Sequence, residues 1–124
     1  MDDALELLHR FAQTIDAHDW PGLADLLAHN FRCTLVHTGE VFDKASWVRL
    51  NAHYPGFESM TLEDAVASGD RAVGRASVVG RRDGVEERFQ VASFLTVRDG
   101  LVVELVEVWT DIGQTAPEGT RERQ

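Results

Sequence analysis

One cysteine and one lysine are all that this 124-residue chain contains of either type. Cys33 alone can form no internal disulfide and no thiolate cluster, and a reducing cytosol is the expected compartment. Lys44 stands against eleven arginines, so cation placement leans toward directional pairing. Positive charge is also scarce overall, with 12 basic against 21 acidic residues and a net charge of -9. That balance argues against a nucleic-acid or anionic-membrane surface. No apolar stretch approaches about 18 residues, and no basic start with an apolar run precedes the first helix, so neither a membrane span nor a signal segment is expected. The five histidines (His9, His18, His29, His37, His53) show no HExxH or paired spacing for zinc. Glycine-rich phosphate loops and nucleophile elbows are missing too, so no metal and no cofactor is expected.

What is present suits one globular domain, with a hydrophobic content of 44%. Asp3 with Glu6 reads as a helix start, and Leu5, Leu8, Phe11, Ala12 and Ile15 form one apolar stripe through about His18. Asp19 and Pro21 open a second helix whose buried face is Leu23, Leu26 and Leu27, ended by His29 and Asn30. Phe31 to Thr38 alternates as a strand, with Phe31, Cys33, Leu35 and His37 on one face. Asp43 caps a third helix carrying Trp47, Leu50 and Tyr54, closed by Pro55-Gly56. Beyond it Gly69-Asp70, Asp83-Gly84 and Asp99-Gly100 separate four strands, roughly Ser59 to Ser68, Arg71 to Arg81, Val85 to Arg98 and Leu101 to Ile112. Helix, helix, strand, helix and an antiparallel meander make an α+β plan over residues 1–112. The polar tail 113–124 is expected to be loose.

The last strand has two largely apolar faces and is expected to be covered on both sides. Glu107 falls between Leu105 and Trp109, a carboxylate on an apolar row. Such a group needs a partner, stays protonated, or faces a cavity. A salt bridge to Arg75 or Arg88 is the plain structural alternative. Three helices can cover only one sheet face, leaving Val78, Phe89, Val91, Leu95, Val106 and Val108 on the other; a homodimer packed sheet to sheet is the expected solution.

The order of elements, with HDWPGLADLL, TGEVFDKASW, GDRA, RRDGV and VRDGLVVELVEVW, resembles the nuclear transport factor 2-like superfamily, and within it the SnoaL-like and ketosteroid-isomerase-like proteins. LVHTGEVFDKASW is also similar to a branch related to the association domain of calcium/calmodulin-dependent kinase. The resemblance covers Leu5 to Ile112. It implies a cone-shaped, cystatin-like fold: three N-terminal helices closing a strongly curved, mostly antiparallel sheet around a pocket, with dimerisation through the outer sheet face. It also places Phe11, Leu35 and Ala92 where ketosteroid isomerase carries its tyrosine, base and second acid. None of these can move a proton, so the resemblance argues against that chemistry.

Within the implied cone, Cys33, Leu35, His37, Arg75, Ser77, Arg88, Gln90, Ala92, Phe94, Leu105, Glu107, Trp109 and Asp111 would face inward, unless a bulge flips a strand. Phe11, Ile15, Trp20, Trp47, Leu50, Tyr54 and Phe57 would supply the walls. His37 is the candidate acid/base, with Glu107 or Asp111 orienting it, or Glu107 acting as base. Arg75 or Arg88 would clamp an anionic handle. The expected function is binding of an apolar or aromatic metabolite, with cofactor-free isomerisation, cyclisation, dehydration or epoxide opening if the chain is an enzyme. The alternative is a non-catalytic dimeric binding or assembly module.

Overall fold

A computed structural model of the chain describes residues 3–113 and 115–120. Asp3 caps helix α1 (Ala4–Asp16) by accepting from the Glu6 amide at 2.7 Å. Asp19 does the same for α2 (Trp20–Asp25) through Gly22, and Asp43 forms a reciprocal capping box with Ser46 at the start of α3 (Lys44–Ala52). The strands are β1 (Leu27–Leu35), β2 (Val41–Asp43), β3 (Phe57–Ser68), β4 (Arg71–Arg82), β5 (Val85–Arg98) and β6 (Leu101–Asp111). Among the described residues no helix is long and apolar enough to cross a membrane.

The last four strands fall close to where their turns placed them. Asp83, Gly84, Asp99 and Gly100 all have positive φ, as a two-residue hairpin turn requires. The first half needs two corrections. The second helix stops at Asp25 and its supposed final residues begin β1, because Leu27 pairs with Val102 and the Leu26 carbonyl accepts from the Val102 amide at 2.8 Å. Pairing with β6 overrides the local helical pattern. The strand then ends at Leu35, so His37 lies in a turn, and the unforeseen β2 folds back on β1. In the tail, residues 114 and 121–124 lie outside the described residues; 115–120 contain no helix or strand.

All six strands form one sheet in the order β2-β1-β6-β5-β4-β3, antiparallel throughout except for the parallel β1/β6 pair. Register shifts interrupt the β1/β6, β3/β4 and β5/β6 ladders, and such irregularities bend a sheet. Helix α1 lies across the concave face against β3, β4 and β5, and α3 covers β1. Leu7, Leu8, Phe11 and Ile15 are buried there with Phe31, Leu95, Val102 and Leu105. At the closest approach, Leu8 and Leu62 fill the space over Gly74 where a side chain would otherwise stand.

The shift in β5/β6 decides which residues face inward. From the Asp99-Gly100 turn, unbroken pairing would set Leu105 opposite Phe94 and Glu107 opposite Ala92. Instead Val97 pairs with Val102 and Thr96 with Glu104, so Val103 is an extra residue and Leu105 meets Leu95. Everything upstream in β5 is thereby inverted, and β4 with it, since β4/β5 pairing is regular. Arg75, Ser77, Arg88, Gln90, Ala92 and Phe94 therefore lie on the convex face, contrary to expectation. Val78, Phe89, Val91 and Leu95, expected outside, belong to the concave face with Trp109, Asp111 and Leu105.

Candidate functional site

Beyond the packed core the concave face opens into a cavity of about 660 Å³ between the sheet, α3 and the α3–β3 turn. Strand register arranges its walls in steps. Glu107 pairs with Leu35 on one side and Ser93 on the other; next comes Trp109 opposite Val91, then Asp111 opposite Phe89, which faces Val78, which faces Met60. Ile15, Leu50, Tyr54, Pro55 and Phe57 close the other side, and Phe42 comes from β2.

Of the expected site residues, His37, Glu107, Asp111, Ile15, Leu35, Trp47, Leu50, Tyr54, Phe57 and Trp109 line this cavity. Phe11 stands behind the lining, stacked on Trp47 with ring centroids 5.7 Å apart. Trp20 packs on His18, which separates it from Phe57. Leu105 is sealed in the core. Arg75, Arg88, Gln90 and Phe94 are on the convex face. There Arg75 bonds Glu63 at 2.7 Å and Gln90 at 3.1 Å, and Arg88 bonds Glu86 at 2.9 Å. Neither arginine can clamp a ligand in the cavity or neutralise Glu107.

Glu107 is 4% exposed, in the core yet on the cavity lining. The Cys33 thiol donates to Oε1 at a long 3.8 Å. Trp47, Trp109 and Ser93 also act on the carboxylate and favour its ionised form, yet the buried Trp47 Nε1 reaches no acceptor with good hydrogen-bond geometry. Burial outweighs these donors and pushes the Glu107 pKa up to about 7. Burial first, and then the adjacent carboxylate, hold the Cys33 thiol far above its ordinary range, so it remains protonated. Glu107 has no ion pair among the described residues.

His37 and Asp111 occupy the exposed rim. Asp111 lies four residues beyond Glu107 on one strand, about 13 Å along it, too far for the two carboxylates to share a proton. Sequence reasoning missed Glu40, Phe42, Asn51, Met60, Glu87 and Phe89 in the lining. The short β2 carries no periodic signal, while Phe89 was hidden by the inverted parity of β5. It also took Ala92 for the inward residue where the bulge presents Ser93. Among the described residues no group of three His, Cys, Asp or Glu side chains is placed to hold a metal ion.

Among solved structures, a proposed ketosteroid isomerase from Kribbella flavida DSM 17836 superimposes with a TM-score of 0.80 at 29% identity, over 95% of this chain and 87% of that one. A proposed SnoaL-like polyketide cyclase from Jannaschia sp. CCS1 gives 0.74 at 18% identity, over 86% and 84%. An LEH-like epoxide hydrolase from M. tuberculosis gives 0.74 at 14%, over 86% and 82%; at such identities the likeness is one of fold. No curated protein sequence matches the chain. The pattern of the SnoaL-like domain matches residues 8–105, which is most of the chain. With helices on a curved, mixed six-stranded sheet and this family match, the chain belongs to the SnoaL-like domain family, of nuclear transport factor 2-like fold.

Proposed function

We propose that the chain binds an apolar or aromatic metabolite in the concave cavity and that Glu107 exchanges a proton with it, without a cofactor. The carrying observation is a buried carboxyl with no counter-ion among the described residues, lining a cavity of about 660 Å³ and poised near neutrality. A general acid or base works best when its pKa lies near the working pH, and burial achieves this for Glu107. His37 at the rim is a second proton carrier for the far end of the ligand. Isomerisation, cyclisation, dehydration and epoxide opening all fit such a site, and the structural neighbours described above include a proposed isomerase, a proposed cyclase and an epoxide hydrolase. With Arg75 and Arg88 on the convex face, a developing oxyanion would have to be met by neutral donors of the lining, such as the Tyr54 hydroxyl.

A second reading, a binding and assembly module, is favoured by the convex face. One residue from each strand forms a continuous cross-strand row there: Val66, Val73, Phe94, Val106, Thr34 and Val41. Thermal-shift screening with aromatic and polycyclic metabolites tests the first reading. A hit that is turned over should lose roughly 10²- to 10⁴-fold in kcat with Glu107→Gln while still binding. Undiminished turnover by that variant would sink the role of Glu107, and a cavity that takes no ligand would leave the assembly reading.

A further inference from the structure

We propose that the ligand of this cavity is a cation: a primary amine or quaternary ammonium on an apolar, preferably aromatic, body. The inference rests on the cavity reading above and names the substrate class. Three independent features carry it.

The first is the unbalanced set of groups around Glu107. The Cys33 thiol reaches Oε1 at 3.8 Å, Ser93 neighbours Glu107 by strand pairing, and neither carries a positive charge. A buried carboxylate also needs a counter-charge, and the described residues supply none: Glu107 makes no ion pair among them. A cation arriving from outside completes the arrangement.

The second is the sign of the walls. Among the described residues four carboxylates line the cavity, Glu40, Glu87, Glu107 and Asp111, with His37 as the basic side chain and no arginine or lysine. Arg82 approaches Glu87 at 3.6 Å, so that rim carboxylate is partly answered; Glu40 and Asp111 have no such partner among the described residues. Arginines are plentiful on the neighbouring strands, yet Arg75, Arg81 and Arg88 each bond a glutamate away from the cavity. A cavity with low-dielectric walls and one sign of charge concentrates ligands of the opposite sign.

The third is the aromatic lining. Trp109, Tyr54 and Phe57 bring aromatic rings to the lining, and a cation near such faces gains attraction that an anion would not.

The test compares 4-phenylbutylamine, 4-phenylbutanol and 4-phenylbutyrate, ligands of similar size and different charge, by calorimetry on the intact chain at pH 7. The amine should bind roughly tenfold or more tightly than the alcohol, with the carboxylate weakest. Glu107→Gln should bring amine and alcohol within about threefold by weakening only the amine. Should that variant fold poorly, Asp111→Asn with Glu40→Gln at the rim should still cut amine affinity severalfold. Equal binding of amine and alcohol, or preference for the carboxylate, overturns the inference and leaves the cavity reading intact. Failure of all three ligands to bind at millimolar concentration overturns both.

Discussion

At the scale of single residues, Glu107 is where stability and function pull apart. Its folded-state pKa of about 7 stands above the ordinary 4.5. Between those values the folded chain holds a proton that the unfolded chain has released, so stability falls as pH rises from about 4.5 and the loss is complete above about pH 7. The full effect is on the order of 3 kcal/mol. Glu107→Gln removes the charge while keeping the shape, so it should stabilise the protein by about 1–3 kcal/mol at pH 8. At pH 5 the gain should nearly vanish. Denaturant midpoints at the two pH values measure this directly; a variant weaker than the parent at both would mean that the carboxyl is a structural keystone. That Glu107 points inward was legible in the sequence, because an acid on an apolar row of a two-sided strand has few other options. Its lack of an arginine partner was not, since that depends on which way the neighbouring strands turn.

At the scale of elements, the Asp-Gly turns and capping aspartates made the helices and the meander readable, because each signal is local in the chain. The bulge at Val103 is not local. It is visible only as a mismatch between two strands, and that one residue exchanges Arg75 and Arg88 for Val78 and Phe89 inside the cone. A second element-scale device is the turn joining α3 to β3. Gly56 has φ +79°, its carbonyl accepts from the Arg81 amide at 2.8 Å, and an added Cβ would collide with the Arg81 carbonyl oxygen. Gly56→Ala therefore meets both a strained backbone and a backbone obstacle, and should cost at least ~2 kcal/mol. Gly39→Ala shares the positive φ, at +78°, but has open space around it and should cost only about 1 kcal/mol. Urea titrations of the pair separate steric exclusion from conformational preference: equal losses would show that the close approach to β4 is unimportant. Because Tyr54, Pro55 and Phe57 line the cavity, the Gly56 variant should also weaken ligand binding.

At the scale of the whole molecule, the helices occupy the concave side, and among the described residues no helix covers the convex side. The sequence indicated an apolar convex face through Val106 and Val108, but four of its six nominated residues belong inside. The row that replaces them is better suited to association, since it runs unbroken across all six strands. Val41 and Val66, at its two ends, are 62% and 65% exposed. Burying such side chains against a second copy would contribute roughly 1.5–3 kcal/mol for each one fully covered, enough over several residues to offset the entropy lost on association. A two-fold axis near Phe94 and Val106 would set each row against its symmetry mate, and the charged pairs Arg75–Glu63 and Arg88–Glu86 on the same face could stay hydrated at the margin. The expected state is a homodimer at micromolar concentration. Phe94→Glu combined with Val106→Arg should make it monomeric while its circular dichroism and its cavity binding persist. Sedimentation of parent and variant decides the matter: a parent that sediments as a monomer would leave this apolar row as an exposed surface feature, and a variant that stays dimeric would place the interface elsewhere.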